Sequence, residues 1–524
     1  MKICLINPPC IEKNREHIKY NHDFRNMPHL GLGYICSFLE QNGFEVDILE
    51  CDQRGLSLDD LYPLLSREKY EAIGVSVYPY NLYNAIRIIT IIKKLEPIPF
   101  VFLGGFTSTI SYHTLLPLVE NVGCCVRGEG EYTCLELMEA IRDKKDWHNI
   151  PGVAYKEGDI TRIAPPRQLP DELDNLPFPK RAFISEFGFV TMLTSRGCYG
   201  KCTFCELREF QKACSGKAVR TRSPENVVKE IEFLVNECKV KSIAIVDDNF
   251  LIASLRKREW LLKFYELMRA KTLSVQLRVA ARANDIIANR DIIEKLKEVG
   301  LTGVFIGVES FVQRQLDYYN KKVTVEENIK ALEIVHEMNI KISIGWLIYE
   351  PFVTLKEIRE NIRIFKSVFH ENFEGFEADF QPISLRTPVI LYPGTQIREQ
   401  IVNQGLYIAT EQFGYVFQDE DVALLRKILV EWGKFLNPVF LMFYLIIEAN
   451  ERNNFTLENK LMTEKGKLID LDLRFIEDAC DCIENKRISL DNCKDSIHDI
   501  ILKWKSALDS INNEFLNAKA LLCK

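Results

Sequence analysis

Apolar runs and helical patterns alternate through the first 145 positions of the chain. The runs that predict strands are Lys2–Ile6, Phe44–Leu49, Ala72–Val77, Phe100–Leu103 and Cys124–Val126. Segments with helical periodicity separate them, among them Leu32–Asn42, 82–95 and Tyr132–Lys144. Because the apolar runs are continuous, we expect strands buried on both faces of a parallel sheet. The pattern predicts an α/β fold that begins with a doubly wound, Rossmann-like parallel sheet.

Polar and glycine-rich segments follow four of these predicted strands. In doubly wound sheets, ligands bind beyond the carboxyl ends of the strands. Glycine at such an end lets the backbone approach a ligand closely. The sequence therefore predicts a ligand site at this edge of the sheet, formed by Asn7, Ser76, Tyr78, Gly104, Gly105, Gly128 and Glu129.

The rest of the chain divides into three further regions. Residues 146–185 hold six prolines and many charges, which predicts an extended linker. Residues 186–395 alternate about six apolar strands with helical segments, the last strand being Phe376–Pro382, and predict a partial (β/α)6 barrel. Residues 396–524 show mainly helical periodicity and predict a small, mostly helical C-terminal domain.

Composition and charge narrow the function classes. With 67 basic against 74 acidic side chains and a net charge of −7, we expect no nucleic-acid partner, because phosphate contacts need a basic face. We expect no membrane partner, because the most apolar stretch, Phe435–Ile447, is shorter than the ~18 residues of a span. Met1–Pro9 lacks the pattern of an export signal, so the chain is expected in the cytoplasm. In that reducing compartment, clustered thiols indicate metal or redox chemistry.

Three of the sixteen cysteines lie within eight residues, at Cys198, Cys202 and Cys205. Three thiolates can hold three irons of a four-iron cube and leave the fourth iron open to another ligand. A structural zinc site is the alternative, but it needs four ligands, usually in two paired sets. Cys214 is a possible fourth thiol, although its distance along the chain does not match a zinc ribbon. The spacing therefore favours an iron–sulfur cluster.

The segment Thr194–Cys205 resembles the signature of the radical S-adenosylmethionine (SAM) superfamily, including the aromatic Phe204 before the third cysteine. Segments 246–250, 303–310 and 392–395 resemble other motifs of that family. The resemblance implies a 4Fe–4S cluster on the three cysteines and SAM bound to its open iron. The residues that it implies for SAM binding are Phe204, Asp247, Asp248, Arg278, Glu309 and Ser310.

Several of these residues have a second interpretation. Asp247 and Asp248 could instead cap the next helix. Glu309 follows a buried strand, so we expect a ligand or a cation beside it, because an unpaired buried carboxylate is costly. Arg278 and Arg282 flank the end of the third strand, and either could meet the SAM carboxylate or instead be solvated or ion-paired.

The order of the first two domains resembles the cobalamin-binding radical SAM enzymes. Gly104-Gly105 and the segment 127–131 match the form of their cobalamin-binding domains. Two features depart from that pattern: the D-x-H-x-x-G motif is absent, and Phe106-Thr107 stands where the family commonly has Pro-His. Members of that family often bind cobalamin without a protein His ligand, so the resemblance still implies cobalamin as a third cofactor; the alternative is a first domain that is a scaffold without cobalamin.

The resemblance implies that the reduced cluster cleaves SAM and that the resulting 5′-deoxyadenosyl radical takes hydrogen from an unactivated C–H bond. With cobalamin, we expect methyl transfer to carbon; without it, we expect epimerisation, cyclisation or rearrangement. An epimerase needs a hydrogen donor, for which Cys214, Cys480, Cys482 and Cys493 are the candidates. The expected partners are a small-molecule or peptide substrate and an electron donor such as flavodoxin or ferredoxin. The remote alternative is a structural zinc-binding protein.

Overall fold

The structure is a computed structural model of the 524-residue chain. It describes residues 1–10, 29–181, 188–369, 382–385, 388–408, 414–453, 458–488 and 493–522. Within these ranges, no helix has the length and apolar character needed to cross a membrane.

The first domain is a sheet with helices on both faces. Its strands are β1 (Lys2–Asn7), β2 (Glu45–Glu50), β3 (Ala72–Ser76), β4 (Phe100–Gly104), β5 (Cys124–Val126), β6 (Val153–Glu157) and β7 (Ile160–Ile163). Its helices are α1 (Leu30–Gln41), α2 (Leu58–Glu68), α3 (Leu82–Ile92), α4 (Phe106–Ile110), α5 (Tyr112–Leu118) and α6 (Glu131–Arg142).

The strand order is β2-β1-β3-β4-β5-β6-β7, and the first five strands are parallel. The chain order reverses between β1 and β3, which is where doubly wound sheets bind ligands. β1 can lie at the centre because Ile3–Ile6 is at most 1% exposed and faces an apolar core on each side. The predicted doubly wound parallel sheet is confirmed.

The sheet continues into residues that the sequence predicted as linker. β6 pairs antiparallel with β5, and β7 pairs antiparallel with β6, so 153–163 form a hairpin on the sheet edge. Val153 and Ala154 are fully buried there and supply the apolar anchor, while Gly158 turns the hairpin at φ +59°. The prolines that suggested an extended linker lie on either side of this hairpin.

The second domain contains a five-stranded parallel sheet. The next strands in the chain are β8 (Arg167–Gln168), β9 (Phe189–Met192), β10 (Ser195–Arg196), β11 (Cys214–Ser215), β12 (Arg220–Thr221), β13 (Ser242–Ile245), β14 (Gln276–Arg282), β15 (Leu301–Glu309) and β16 (Lys341–Trp346). The helices between them are α7 (Leu207–Lys212), α8 (Pro224–Asn236), α9 (Leu255–Lys271), α10 (Ala283–Ala288), α11 (Arg290–Glu298), α12 (Gln313–Tyr318) and α13 (Val325–Glu337), and α14 (Leu355–Phe369) follows β16.

The sheet order β16-β15-β14-β13-β9 is that of an open barrel built from successive βα units. Along β14, Leu277, Val279 and Ala281 face the helices and join the core, so Arg278 and Arg282 face the barrel interior. The open interior leaves Phe305 of β15 43% exposed. Positions 376–381 of the predicted sixth strand lie outside the described residues.

Three long helices make up most of the C-terminal region. After α15 (Gln396–Asn403) they are α16 (Glu420–Asn453), α17 (Glu458–Glu484) and α18 (Cys493–Leu522). Trp432 of α16 stacks on Phe475 of α17 at 4.2 Å, and both belong to the same core as the barrel. Lys366 of α14 pairs with Glu477 at 2.6 Å and fixes the helices against the barrel. The predicted mostly helical C-terminal part is confirmed.

Candidate active site between the two α/β domains

The cysteine loop follows β9 and is held by a short antiparallel ribbon. β10 pairs with β12, with Arg196 opposite Arg220. Gly197 adopts φ +91°, and a Cβ there would overlap the Ala218 backbone oxygen. Glycine is therefore required at the point where the chain turns into Cys198.

Two of the three thiols accept hydrogen bonds from neighbouring groups. The Gly200 N–H donates to Cys198 Sγ over 3.3 Å, and Arg282 Nη1 donates to Cys202 Sγ over 3.5 Å. Burial raises the pKa of the Cys205 thiol to about 12, and the nearby Cys202 and Cys198 raise it further. Metal binding would therefore supply the energy that converts the Cys205 thiol to a thiolate.

The donor set fits a cube better than a single ion. Among the described residues, no three His, Cys, Asp or Glu side chains converge closely enough to hold one metal ion. A structural zinc needs four such donors around one point. A four-iron cube binds each cysteine at a different iron, so its thiols surround a volume instead of a point. The three clustered cysteines supply the three thiol ligands that such a cube needs.

The two aspartates after β13 have different positions. Asp247 is buried and accepts hydrogen bonds from Thr194 N at 2.6 Å and Ser195 N at 3.0 Å, as well as from both hydroxyls. Asp248 accepts from Gly197 N at 2.9 Å and lines the cavity described below. Burial raises the pKa of Asp248 to about 6. Asp247 thus fixes the loop, while Asp248 is available to a ligand; SAM binding by either stays a prediction.

Glu309 and Ser310 end β15. Glu309 has φ +62° and pairs with Lys321 Nζ at 2.8 Å, so the cation expected beside it is Lys321. Ser310 is fully buried and donates to Gln315 Oε1 at 2.7 Å. Glu309 faces the barrel interior, whereas Ser310 is satisfied within the fold.

Arg278, Arg282 and Phe204 complete the set predicted for SAM. The guanidinium of Arg278 lies 5.9 Å from the Phe189 ring, near the start of β14, whereas Arg282 at its end contacts the thiol of Cys202. Phe204 packs edge-on against Tyr319 at 5.4 Å. The sequence named Arg278 for SAM binding and mentioned Arg282 only as flanking the same strand end; the structure brings Arg282 to the cysteine loop, and SAM binding by Arg278 stays a prediction.

A cavity of about 320 Å³ lies between the two domains. Its first-domain wall includes six of the seven residues predicted for a ligand there: Ser76, Tyr78, Gly104, Gly105, Gly128 and Glu129. Its barrel wall includes Arg196, Gly197 and Asp248. Asn7 is instead used within the fold, where its Nδ2 donates to Glu50 Oε2 at 2.9 Å.

The first-domain wall has the shape of an apolar cradle. Gly105 has φ +91°, and a Cβ there would lie 3.0 Å from the Val77 oxygen. Gly128 has φ +79°, and a Cβ there would overlap Cys214 Sγ. Leu5, Val75 and other apolar residues line the same wall. A wall with glycines at the strand ends fits a large flat ligand such as a corrin ring.

Glu129 also joins the two domains through charge. It accepts from Arg196 Nη1 at 2.8 Å and from Arg220 Nη1 at 3.1 Å, and Glu131 accepts from Arg196 Nη2 at 2.6 Å. All four side chains are at most 15% exposed. We call Glu129, Glu131, Arg196 and Arg220 the clamp. Because Arg196 directly precedes Gly197, the clamp links the cysteine loop to the first domain.

His29 is a cavity residue for which the sequence assigned no role. Its Nδ1 accepts the Leu32 N–H at 3.2 Å at the start of α1, and its Nε2 lies 3.4 Å from Ser76 Oγ. Burial lowers the pKa of His29, while Glu50 acts in the opposite direction. The ring is therefore neutral at pH 7, with its Nε2 protonated toward Ser76. The position of His29 just before a helical segment was the sequence feature that could have predicted its role at the start of α1.

Glu206 was also unassigned by the sequence. Burial and the nearby Asp248 raise the pKa of Glu206 to about 7, and a hydrogen bond to Tyr392 opposes this shift. Tyr392 contacts the Phe106 ring of the first domain edge-on at 5.5 Å. The segment 392–395, predicted from the resemblance, thus meets both the cysteine loop and the first domain.

Two family models match the chain. Residues 192–365 match the model described as radical SAM superfamily, and residues 24–138 match the B12 binding domain model. The first match contains all three clustered cysteines, and the second contains all six of the cavity residues named above. The predicted resemblance is confirmed.

Relatives and solved structures agree with these matches. The chain is 25% identical over 452 residues to an uncharacterized methyltransferase of Pyrococcus horikoshii, covering 85% of this chain and 93% of that protein. It is 25% identical over 418 residues to the anaerobic magnesium-protoporphyrin IX monomethyl ester cyclase of Rubrivivax gelatinosus, covering 72% of each. The fold is similar to that of the cobalamin-dependent SAM radical enzyme OxsB, with a TM-score of 0.77, 17% identity, and coverage of 98% of this chain and 80% of that one.

Proposed function

The chain belongs to the radical SAM superfamily and carries a B12-binding domain before its barrel, and from this premise we propose that it is a cobalamin-dependent methyltransferase acting on carbon. The observation that carries the proposal is the single cavity whose walls come from both domains. A methyl group and a carbon-centred radical must meet within bond-forming distance, so both cofactors must face one space.

When bound and reduced, the cluster would supply the electron that cleaves SAM to the 5′-deoxyadenosyl radical, which removes hydrogen from a C–H bond. Cobalamin would carry the methyl group. Cys198, Cys202 and Cys205 would hold the cluster, with the loop fixed by Asp247. Asp248 lines the cavity next to the loop, where a carboxylate can orient the SAM amino group, and Glu309, paired with Lys321 at the end of β15, is the second carboxylate proposed for SAM.

The first-domain wall would hold the corrin. Gly104, Gly105 and Gly128 allow the ring to approach the strand ends, and Ser76 with Tyr78 provides polar contacts at the switch point between β1 and β3. The neutral His29 donates toward Ser76 and keeps charge out of the apolar wall. The clamp then sets the distance between this wall and the cysteine loop.

A cyclase or other rearrangement is the second candidate. The similarity to the cyclase of Rubrivivax gelatinosus supports it, because the aligned region covers 72% of that protein and 72% of this chain. An epimerase would need a hydrogen donor, and Cys214 lines the cavity beside Gly128. In these reactions the first domain would act as a scaffold or use cobalamin without transferring a methyl group.

The proposal includes the cell compartment and the partners. An oxygen-sensitive cluster with free cysteines suits the reducing cytoplasm, and a small electron carrier such as flavodoxin or ferredoxin would reduce it. The substrate is proposed to be a small molecule or a peptide that enters the cavity between the domains.

The two candidates are separated by their SAM-derived products. The reconstituted chain would be incubated anaerobically with SAM and a low-potential reductant, with and without hydroxocobalamin. Methyl transfer predicts both 5′-deoxyadenosine and S-adenosylhomocysteine, the latter only when cobalamin is present. Formation of 5′-deoxyadenosine alone under both conditions would exclude the methyltransferase in favour of the second candidate.

A further inference from the structure

Arg282 is the basic side chain in contact with the cysteine loop. It ends β14, is 7% exposed, and donates through Nη1 to Cys202 Sγ over 3.5 Å. A Cβ on Gly200 would lie 2.9 Å from the same Nη1, so the loop backbone is closely packed against the guanidinium. The side chain therefore occupies one defined position between the barrel and the cysteines.

Other contacts fix this guanidinium without neutralising it. Nη2 donates to the backbone oxygen of Lys321, and the charge lies 5.4 Å from the Tyr199 ring centre. Within the described ranges, no carboxylate lies at ion-pair distance from Arg282. The sulfur of Cys202 is thus the anion-forming group that the guanidinium contacts, because a buried cation requires a counter-charge.

We propose that Arg282 is a positioning residue that raises the reduction potential of the cluster by donating a charge-assisted hydrogen bond to the Cys202 sulfur. This inference rests on the proposed function, since it requires the cluster. It assigns Arg282 a role distinct from binding the SAM carboxylate, which its place at the strand end would also permit.

The direction of the effect follows from charge. One-electron reduction makes the cluster and its thiolates more negative, so a nearby cation and hydrogen bond stabilise the reduced form more than the oxidised form. Removing the guanidinium should therefore make the cluster harder to reduce. Since cleavage of SAM requires the reduced cluster, an easier reduction favours the first step.

The test compares two arginines on the same face of the same strand. The midpoint potential of the reconstituted full chain, without SAM, would be followed by electron paramagnetic resonance during a redox titration. For Arg282→Gln, we expect the equilibrium constant for reduction to fall about tenfold, which is about 59 mV for one electron. Arg282→Lys keeps the charge and should recover part of the difference. Arg278→Gln, four positions earlier and away from the thiols, should leave the potential unchanged.

A second measurement needs no variant that could misfold. Arginine labelled with 15N in the guanidinium would be incorporated into the wild-type chain, and pulsed paramagnetic resonance of the reduced cluster should detect coupling to that nitrogen. Arg282→Lys should remove the coupling. A wild-type cluster without 15N coupling would overturn the inference even if Arg282→Gln cannot be loaded with iron.

The remaining outcomes are also decisive. An unchanged potential in Arg282→Gln together with weaker SAM binding would overturn the inference and make Arg282 a SAM ligand. A lowered potential with unchanged SAM binding supports it. A wild-type chain that assembles no cluster would overturn the proposed function itself, and this result is distinguishable because iron is measured before the titration.

Discussion

The two walls of the central cavity are built on different physical principles. Behind the barrel wall, which includes Arg196, Gly197 and Asp248, buried charges have partners within the barrel: Asp247 accepts from two backbone N–H groups, and Glu309 pairs with Lys321. The first-domain wall is apolar and opens at glycines, with Gly104 having no atom within 4 Å of a Cβ built on it. The contacts inside the barrel fix the cysteine loop before any ligand binds, whereas the first-domain wall leaves space for a ligand.

This difference indicates how the two cofactors are accommodated. A cluster held by three thiols needs ligands at fixed positions, and buried hydrogen bonds provide that rigidity at the cost of desolvation. A corrin ring is bound mainly through its area, so an open apolar cradle is sufficient. The clamp is the part that belongs to both walls.

The largest expected effect is loss of the cluster alone. Cys202→Ala removes one of three thiol ligands, and we expect iron to fall from about four per chain to background. Corrinoid retention should change little, because the first-domain wall is intact. Iron and corrinoid would be measured on the same desalted sample. Cys214→Ala is the matched control and should keep its iron; loss of iron in that variant would reopen the zinc alternative.

The next effect tests whether the two walls form one unit. Arg196→Met leaves Glu129 and Glu131 with one cation fewer in a buried site, and breaking such a pair costs about 3–5 kcal/mol. The free energy of unfolding would be measured with urea. Arg162→Met breaks an exposed pair with Glu157 and should cost about 0–1 kcal/mol. Equal effects of the two variants would show that the clamp contributes no more than a surface pair.

A smaller effect is expected on corrinoid affinity when the apolar first-domain wall is narrowed. Gly128→Val forces a branched side chain into φ +79° and fills the space next to Cys214, at a cost of about 1–3 kcal/mol from strain alone. We expect corrinoid affinity to fall at least about tenfold, with iron content unchanged. Gly158→Val strains a positive-φ turn that has open space around it, so it should leave corrinoid affinity unchanged. An unaffected affinity in Gly128→Val would place the corrinoid elsewhere.

The smallest expected effect is on the pH dependence of the free energy of unfolding, to which His29 in the first-domain wall contributes. Burial holds the pKa of His29 below its ordinary value of 6.5, so the unfolded chain binds the proton more readily. The stability from neutral His29 is therefore present above pH 6.5 and is lost as pH falls through the folded pKa. His29→Gln should flatten the decline of unfolding free energy between pH 7.5 and 5.5, whereas His336→Gln at an exposed position should not. An identical decline in the wild type and His29→Gln would contradict this assignment.

The same contrast explains what the sequence could predict. The cysteine loop could be predicted from the sequence because its three thiols lie within eight consecutive residues. The doubly wound sheet is readable because Ile3–Ile6 and similar runs are continuous and apolar. The clamp could not be predicted from the sequence, because Glu129 and Arg196 are 67 positions apart. Many other basic residues could have been the partner of Glu129.

Other features depended on tertiary structure for a similar reason. The hairpin at 153–163 is short and gains its order from the edge of β5, so its own sequence predicted only a linker. The roles of Arg278 and Arg282 differ because one lies at the carboxyl end of β14, and sequence reasoning cannot place a strand end to within four residues. Lys321 reaches Glu309 from beyond the strand, which no local pattern signals.

The proposed function depends on cobalamin in the cavity between the two domains, next to the loop that carries the cluster cysteines. The most direct test is to reconstitute the full chain anaerobically with iron, sulfide and hydroxocobalamin, desalt it, and measure iron and corrinoid in the same sample. We expect about four irons per chain together with an equimolar corrinoid. A chain that retains its iron but no corrinoid would contradict the proposed function.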